Sequence, residues 1–321
     1  MKLLFAIALI SIGAPVFLFA QKDKNDKKQE KAWPVTIRTN LMVLDPRGKF
    51  SDDVKETDVK IYENEVEQKI TYFAKKEHVT NVAFVLDNTG SMRLQLKAVS
   101  GIARAINSNL RKDDEGLVIR FVSRDKITLE QPWTSQRTEL QKTFENLHIE
   151  SGQSAIIDAL YLAGQKVIER SKSEKDTRFA IVLITDGEDR DSYYTSKDLF
   201  SLLAQSDLQI FTIGLERDLS PSGEGLLAKS PRLKAERFLK TLAIRTGGAT
   251  YLFQKEYTSD DLIAAVKALV TELRSQYVIG YVSTDQTHGG KPRTLRIEIA
   301  DGVNGEKRTG ILRSSFEVPE N

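Results

Sequence analysis

From Val82 onward the chain alternates short apolar runs with longer stretches in which apolar residues recur every three or four positions. VAFVLD (82–87) is a continuous apolar run, as expected for a strand covered on both faces. Met92, Leu96, Val99, Ala103, Ile106 and Leu110 follow at spacings of 4, 3, 4, 3 and 4, which puts them on one helix face. GLVIRFV (116–122) predicts the next strand, and helical patterns follow around 136–147 and 155–170. FAIVLITD (179–186) predicts another buried strand. The same rhythm predicts a helix over 196–205, a strand over 208–215, a helix over 235–246, a strand over 248–253 and a helix over 259–275. Alternation of this kind predicts an α/β fold, a Rossmann-like, doubly wound, mostly parallel sheet with helices on both faces. Residues 216–234, with Ser220-Pro221 and Ser230-Pro231, break the rhythm and read as a loop insertion, functional or merely slack.

The flanks carry a different period. In VTIRTNLMVLD (35–45), Val35, Ile37, Leu41 and Val43 fall on alternate positions, the pattern of a half-buried strand. DVKIY (58–62) and QKITYF (68–73) enclose the polar ENEVE and predict a hairpin. After Gln276, YVIGYV (277–282), TLRIEIA (294–300) and TGILRSSFEV (309–318) predict strands. The simplest assembly joins 33–76 and 277–321 as an accessory β-sandwich-like region, with an α/β domain over 77–276 inserted between them. Ahead of both, Lys2 and the apolar run Leu3–Ala20 have the layout of a signal peptide cut after Ala20, and the charged QKDKNDKKQEKA (21–32) reads as a linker. An uncleaved membrane anchor is the alternative, though the run is short for a span and contains Pro15. The expectation is an exported protein, periplasmic, secreted or at the cell surface, with no membrane span once the signal is removed.

Composition narrows the chemistry. The chain has 321 residues, 40% hydrophobic and 29% charged, with a formal net charge of +2, so nothing in it draws the chain to nucleic acid. Cysteine is absent, which excludes disulfides, thiol nucleophiles and thiolate metal sites. In open α/β sheets ligands bind beyond the carboxyl ends of the strands. Three polar segments are expected there: Asp87-Asn88-Thr89-Gly90-Ser91, Gly152-Gln153-Ser154-Ala155 and Asp186-Gly187-Glu188-Asp189. Asp87 and Asp186 each end a buried strand, where a carboxylate is costly unless paired or bound to a cation. Thr89, Ser91 and Ser154 add hydroxyl oxygens. This oxygen set suits Mg2+ or Mn2+, and the lack of His and Cys among these residues argues against zinc. A coordination position can be left for a carboxylate from outside.

LDNTGSM resembles the D-x-S-x-S element of the metal-ion-dependent adhesion site of the von Willebrand factor type A family. Ser154 stands where that family carries a Thr, and Asp186 matches its final Asp. Thr89 replaces the first Ser, and both replacements keep the hydroxyl. IYENEVEQKITYF and YVIGYV further resemble segments of the von Willebrand factor A-related group described from acidobacterial genomes. The resemblance implies a divalent cation held by Asp87, Thr89, Ser91, Ser154 and Asp186, and a protein ligand whose Asp or Glu completes the shell. Asn88, Asp158, Glu188 and Asp189 are expected at the rim or behind it.

Each motif also has an ordinary reading. Ser91 suits the N-cap of the following helix, Asp186-Gly187 is a common turn pair, and Asp158 suits the first turn of a helix. Tyr193 and Tyr194 are either packing residues or part of a partner surface. An enzyme is not expected. His78, His148 and His288 lie in polar segments away from the three motifs, and no Gly-x-Ser-x-Gly elbow or phosphate loop is present. The enzymatic alternative is a magnesium-dependent phosphatase or hydrolase with Asp87 as nucleophile. Against it, the three motifs carry no lysine or arginine to hold a phosphate, and Thr89 stands where a second acid would be needed. A third reading is an envelope-assembly protein whose metal only braces the loops.

Overall fold

The buried apolar runs form the middle of a sheet because helices cover both of its faces. A computed structural model describes residues 34–75, 78–174, 177–215, 231–253, 257–274 and 276–318. The expected signal run, the linker, Trp33 and residues 216–230 of the expected insertion lie outside the described residues. Four strands come first: β1 (Thr36–Leu44), β2 (Val59–Glu63), β3 (Val66–Gln68) and β4 (Ile70–Lys75). The alternating part opens with β5 (Val79–Asp87), α1 (Leu96–Asn109), β6 (Gly116–Phe121), β7 (Ile127–Thr134), α2 (Arg137–Glu145) and α3 (Ile156–Ser171). It continues through β8 (Thr177–Thr185), α4 (Ser196–Leu203), β9 (Gln209–Leu215), α5 (Pro231–Thr246), β10 (Thr250–Phe253) and α6 (Ser259–Arg274). The chain closes with β11 (Tyr277–Val282), β12 (Arg293–Ile299), β13 (Thr309–Ile311) and β14 (Ser315–Phe316).

The central sheet has the order β10-β9-β8-β5-β6-β7. Every pairing is parallel except β6 with β7. Alternate residues of β5 serve opposite cores. Val82, Phe84 and Leu86 pack with Val99 and Ile102 of α1, Phe144 of α2 and Leu269 of α6. Ala83 and Val85 pack with Leu160 of α3, Leu199 of α4 and Leu242 of α5. Both faces are therefore dry, which is why the run reads as uniformly apolar. Among the described residues, no helix is long and apolar enough to cross a membrane.

The flanking strands form two four-stranded sheets, ordered β13-β1-β11-β4 and β14-β12-β2-β3. They share one core that includes Leu41, Val43, Val59, Ile61, Tyr277, Ile279, Leu295 and Phe316. The accessory β region is thus built from both ends of the chain.

Five details depart from the sequence reading. The antiparallel edge strand β7 was not expected. The hairpin closes earlier than predicted, with β2 pairing Val66–Gln68 across Asn64 and Glu65, both at positive φ (47° and 65°). This is the paired left-handed conformation that suits tight hairpins. Ile70–Lys75 crosses to the other sheet and pairs with β11. The stretch 309–318 is not one strand: β13 pairs with β1, and β14 pairs with β12 in the other sheet. Residues 231–234 of the expected insertion belong to α5, whose first residue is Pro231, a position where the missing N–H costs little.

Candidate metal-binding site

β5 enters the central sheet first; the chain then adds β6 and β7 on one side and β8, β9 and β10 on the other. The crevice beyond the carboxyl ends of β5 and β8 is therefore the topological switch point, the usual ligand position in such sheets. Asp87 is the last residue of β5, and Asp186 follows Thr185, the last residue of β8.

Asp87 is fully buried. Its Oδ1 accepts the Thr89 backbone N–H (3.0 Å) and the Thr89 hydroxyl (2.7 Å), and its Oδ2 accepts the Thr185 hydroxyl (2.6 Å). Thr89 Oγ1 lies 2.7 Å from Ser91 Oγ, which links the carboxylate to a second hydroxyl. Burial, and then the negative charge of Asp186, push the Asp87 carboxyl up to about 7, against the donors on Thr185 and Thr89. Two carboxylates that penalise one another in a buried site are relieved by a cation. Ser91 lies in a 3-10 turn over Gly90–Met92 and makes no cap to α1, whose N-cap is Gln95.

Ser154 sits in the loop before α3 and is 6% exposed. Its carbonyl accepts the backbone N–H groups of Arg190 (2.8 Å) and Asp191 (2.9 Å), which ties this loop to the one after β8. Its hydroxyl oxygen is buried and has no hydrogen-bond partner. Thr89, Ser91, Ser154, Asp186, Glu188 and Arg190 line one cavity of about 160 Å3.

The other expected residues hold this frame. The Asp158 carboxylate accepts the backbone N–H groups of Tyr193 (2.8 Å) and Tyr194 (2.9 Å). Asp189 Oδ1 accepts the Ile157 N–H (3.1 Å) at the start of α3 and the Ser192 hydroxyl (2.6 Å). Asn88 is fully buried and its side-chain amide donates to the His148 carbonyl (2.7 Å). Tyr194 stacks on Tyr161 (3.8 Å between ring centroids), whereas Tyr193 is 75% exposed.

Residues 82–188 match the family model of the von Willebrand factor type A domain, a span that takes in the first two loops and the third as far as Glu188. The α/β fold around these loops is von Willebrand factor type A-like. An uncharacterised protein of Synechocystis sp., sll0103, is 37% identical over 109 residues, a match covering 34% of this chain and 25% of that protein. The chain thus spans about a quarter of the length of the curated relative it matches. Solved structures are more distant. The conserved hypothetical protein BatB from Bacteroides thetaiotaomicron is 18% identical with a TM-score of 0.46, over 60% of this chain and 98% of that one. A von Willebrand factor type A protein from Catenulispora acidiphila is 12% identical with a TM-score of 0.47, over 92% of this chain and 76% of that one. The von Willebrand factor domain of the type V pili tip protein Mfa5 from Porphyromonas gingivalis is 10% identical with a TM-score of 0.47, over 62% of this chain and 97% of that one.

Within this von Willebrand factor type A-like fold, the donor set fits a hard divalent cation. An unsatisfied buried hydroxyl, a Thr–Ser hydroxyl pair and Asp186 meet at one small cavity, and the Asp87 carboxylate, which Asp186 repels, stands behind Thr89. Among the described residues, no group of three or more His, Asp or Glu is gathered for a metal. A hydroxyl-rich set has no such cluster.

Two expectations about the surroundings are corrected. Arg190, one residue beyond the third motif, lines the cavity and ion-pairs with Glu188, so a guanidinium does stand at the site. His148 is not remote from the motifs: its carbonyl holds Asn88, and its ring lies 3.2 Å from Glu150, whose N–H donates to the Asn88 carbonyl. Thr185 also escaped the sequence reading. It closes the apolar run of β8 between Ile184 and Asp186 and belongs to no recognisable motif.

Proposed function

We propose that the chain is a binding module that holds Mg2+ or Mn2+ through Asp87, Thr89, Ser91, Ser154 and Asp186 and uses it to capture a protein partner presenting an Asp or Glu. The observation that carries this reading is the buried Ser154 hydroxyl without a partner, in a cavity that Thr89, Ser91 and Asp186 also line. A buried polar atom left unsatisfied is costly and calls for a ligand. A divalent cation at such a site supplies a Lewis-acidic position that an outside carboxylate can fill. Asp87 lies behind Thr89 and orients its hydroxyl, while Asp158 and Asp189 fix the loop that carries Asp186. The apolar run at residues 3–20 supports an extracytoplasmic setting for the partner. The ENEVE hairpin segment and the YVIGYV strand support placement near the acidobacterial von Willebrand factor A-related group.

The hydrolase alternative gains Arg190 as an anion holder but loses its nucleophile. Asp87 is fully buried, and both its oxygens are occupied by donors from Thr89 and Thr185. Thermal melts in chelator, Mg2+ and Mn2+ test the proposal. Metal at a hundred times its dissociation constant stabilises the fold by ~2.7 kcal/mol, a rise of roughly 5–10 °C for a chain of this size. Asp87→Ala is expected to lose that rise. Capture of a partner that chelator and Ser91→Ala both abolish separates adhesion from a metal that only braces the loops. A melt indifferent to metal contradicts the proposal.

A further inference from the structure

A second cavity lies at the other end of β8. Arg178 is the second residue of that strand and Thr185 the last. At ~3.3 Å per residue the two ends stand roughly 23 Å apart, so this cavity is separate from the Asp186 site. It measures about 350 Å3 and lies where β1 and β11 of the accessory sheet meet β8 and the segment before β9. That is within the size range of small-molecule sites.

Its polar wall is unevenly satisfied. Arg178 is 4% exposed; it donates through Nη1 to the Leu273 carbonyl (2.7 Å) and through Nη2 to Asn40 Oδ1 (3.1 Å). Its Nε–H has no partner, and the buried hydroxyl of Ser206 on the same wall has none either. Burial lowers Arg178 to about 10, so it remains a cation at neutral pH. Both acids of the wall are already engaged. Glu174 pairs with Arg170 (2.7 Å), and Asp207 accepts from Asn40 (2.9 Å) and faces Arg313 (3.6 Å). Asp207 thus faces two buried guanidiniums, Arg178 on this wall and Arg313 beyond it, and exposed Arg38 also lines the cavity. Val167, Phe179, Leu208 and Val278 supply an apolar stretch of the wall, beside the polar His78, Ser171, Thr177 and Gln205.

We propose that this cavity binds a small organic anion, with its carboxylate or phosphate head at Arg178 Nε–H, Ser206 and Arg38 and its apolar body against Phe179 and Leu208. Each orphaned donor would then gain the acceptor it lacks, while both carboxylates of the wall keep the partners they already have. A ligand seated there touches both the accessory β region and the α/β domain.

The test is a titration of the full chain followed by the Arg178 Nε–H resonance in 1H–15N spectra, identified by its loss in Arg178→Lys. Selective arginine labelling serves if that variant does not fold. The probes are benzoate, phenyl phosphate, inorganic phosphate and benzylamine. Benzoate or phenyl phosphate is expected to move the Arg178 signal saturably, which also distinguishes the two head groups. Inorganic phosphate is expected to bind more weakly, and benzylamine not at all. Arg38→Gln, on the exposed rim, and Ser206→Ala are each expected to weaken the binding by about tenfold, the loss of one charge-assisted contact. An Arg178 signal that no anion moves, that benzylamine moves equally, or whose shift is unchanged in both variants overturns the proposal. Inorganic phosphate binding as tightly as phenyl phosphate overturns the role given to the apolar wall.

Discussion

The hydroxyl of Thr185 donates to Asp87 Oδ2 at 2.6 Å, joining the carboxyl ends of β8 and β5. The same oxygen of Thr185 accepts the Gly187 N–H at 3.0 Å. One side chain therefore fixes the Asp87 carboxylate and shapes the turn that presents Asp186. Gly187 itself stands at φ +83°, a conformation that other residues adopt only under strain.

Thr185→Val keeps the shape and removes both bonds. It is expected to destabilise the fold by ~1–3 kcal/mol, because Asp87 and the Gly187 N–H are left short of a partner in a buried place. Urea denaturation measures this. A double-mutant cycle with Asp87→Ala is expected to show coupling of about 1 kcal/mol between the positions; additive effects would mean the bond contributes nothing.

Asp158→Ala tests the frame around the site. Its carboxylate carries the Tyr193 and Tyr194 N–H groups and is 8% exposed. Its loss is expected to cost about 1–3 kcal/mol. It is also expected to weaken Mg2+ binding, although Asp158 does not line the cavity. Metal affinity equal to that of the unaltered protein would show that the loop after β8 holds its shape without this support.

Glu272 on α6 supplies a pH dependence. It is 7% exposed, and burial raises its carboxyl from the ordinary 4.5 to about 7, with the Tyr251 hydroxyl opposing. The folded protein keeps a proton that the unfolded chain gives up near 4.5. This contribution is intact below that pH and is lost as pH rises through about 7. Glu272→Gln is therefore expected to gain on the unaltered protein by on the order of 1–3 kcal/mol at pH 8, with little difference at pH 4.5. Denaturation midpoints at the two values decide it; a gap of equal size at both would contradict the burial argument.

Much of this architecture is legible in the sequence because burial on two faces leaves a plain mark. The runs 82–87, 116–122, 179–186 and 208–215 are mostly apolar without a break of period, and each falls on a strand of the central sheet. β7 is an edge strand, so Ile127, Leu129 and Trp133 alternate with polar residues and Pro132 interrupts the run. Its period-2 signal was present but weak. The hairpin was misplaced because the pattern runs on through Lys69, while the chain changes sheets there. At the candidate site, Asp87, Thr89, Ser91, Ser154 and Asp186 stand out by motif. Thr185, Arg190 and the His148–Glu150 segment do not, since their roles come from the adjacency of β5, β6 and β8, which spacing along the chain does not encode.

Mn2+ binding followed by electron paramagnetic resonance, on the unaltered chain and on Ser154→Ala, tests the central claim most directly. The Ser154 hydroxyl makes no hydrogen bond, so its removal is expected to leave folding stability within about 0.5 kcal/mol. The account predicts one Mn2+ per chain, displaced by Mg2+, and a marked loss of affinity in the variant. Absence of a stoichiometric site, or equal affinity in both proteins, would contradict it.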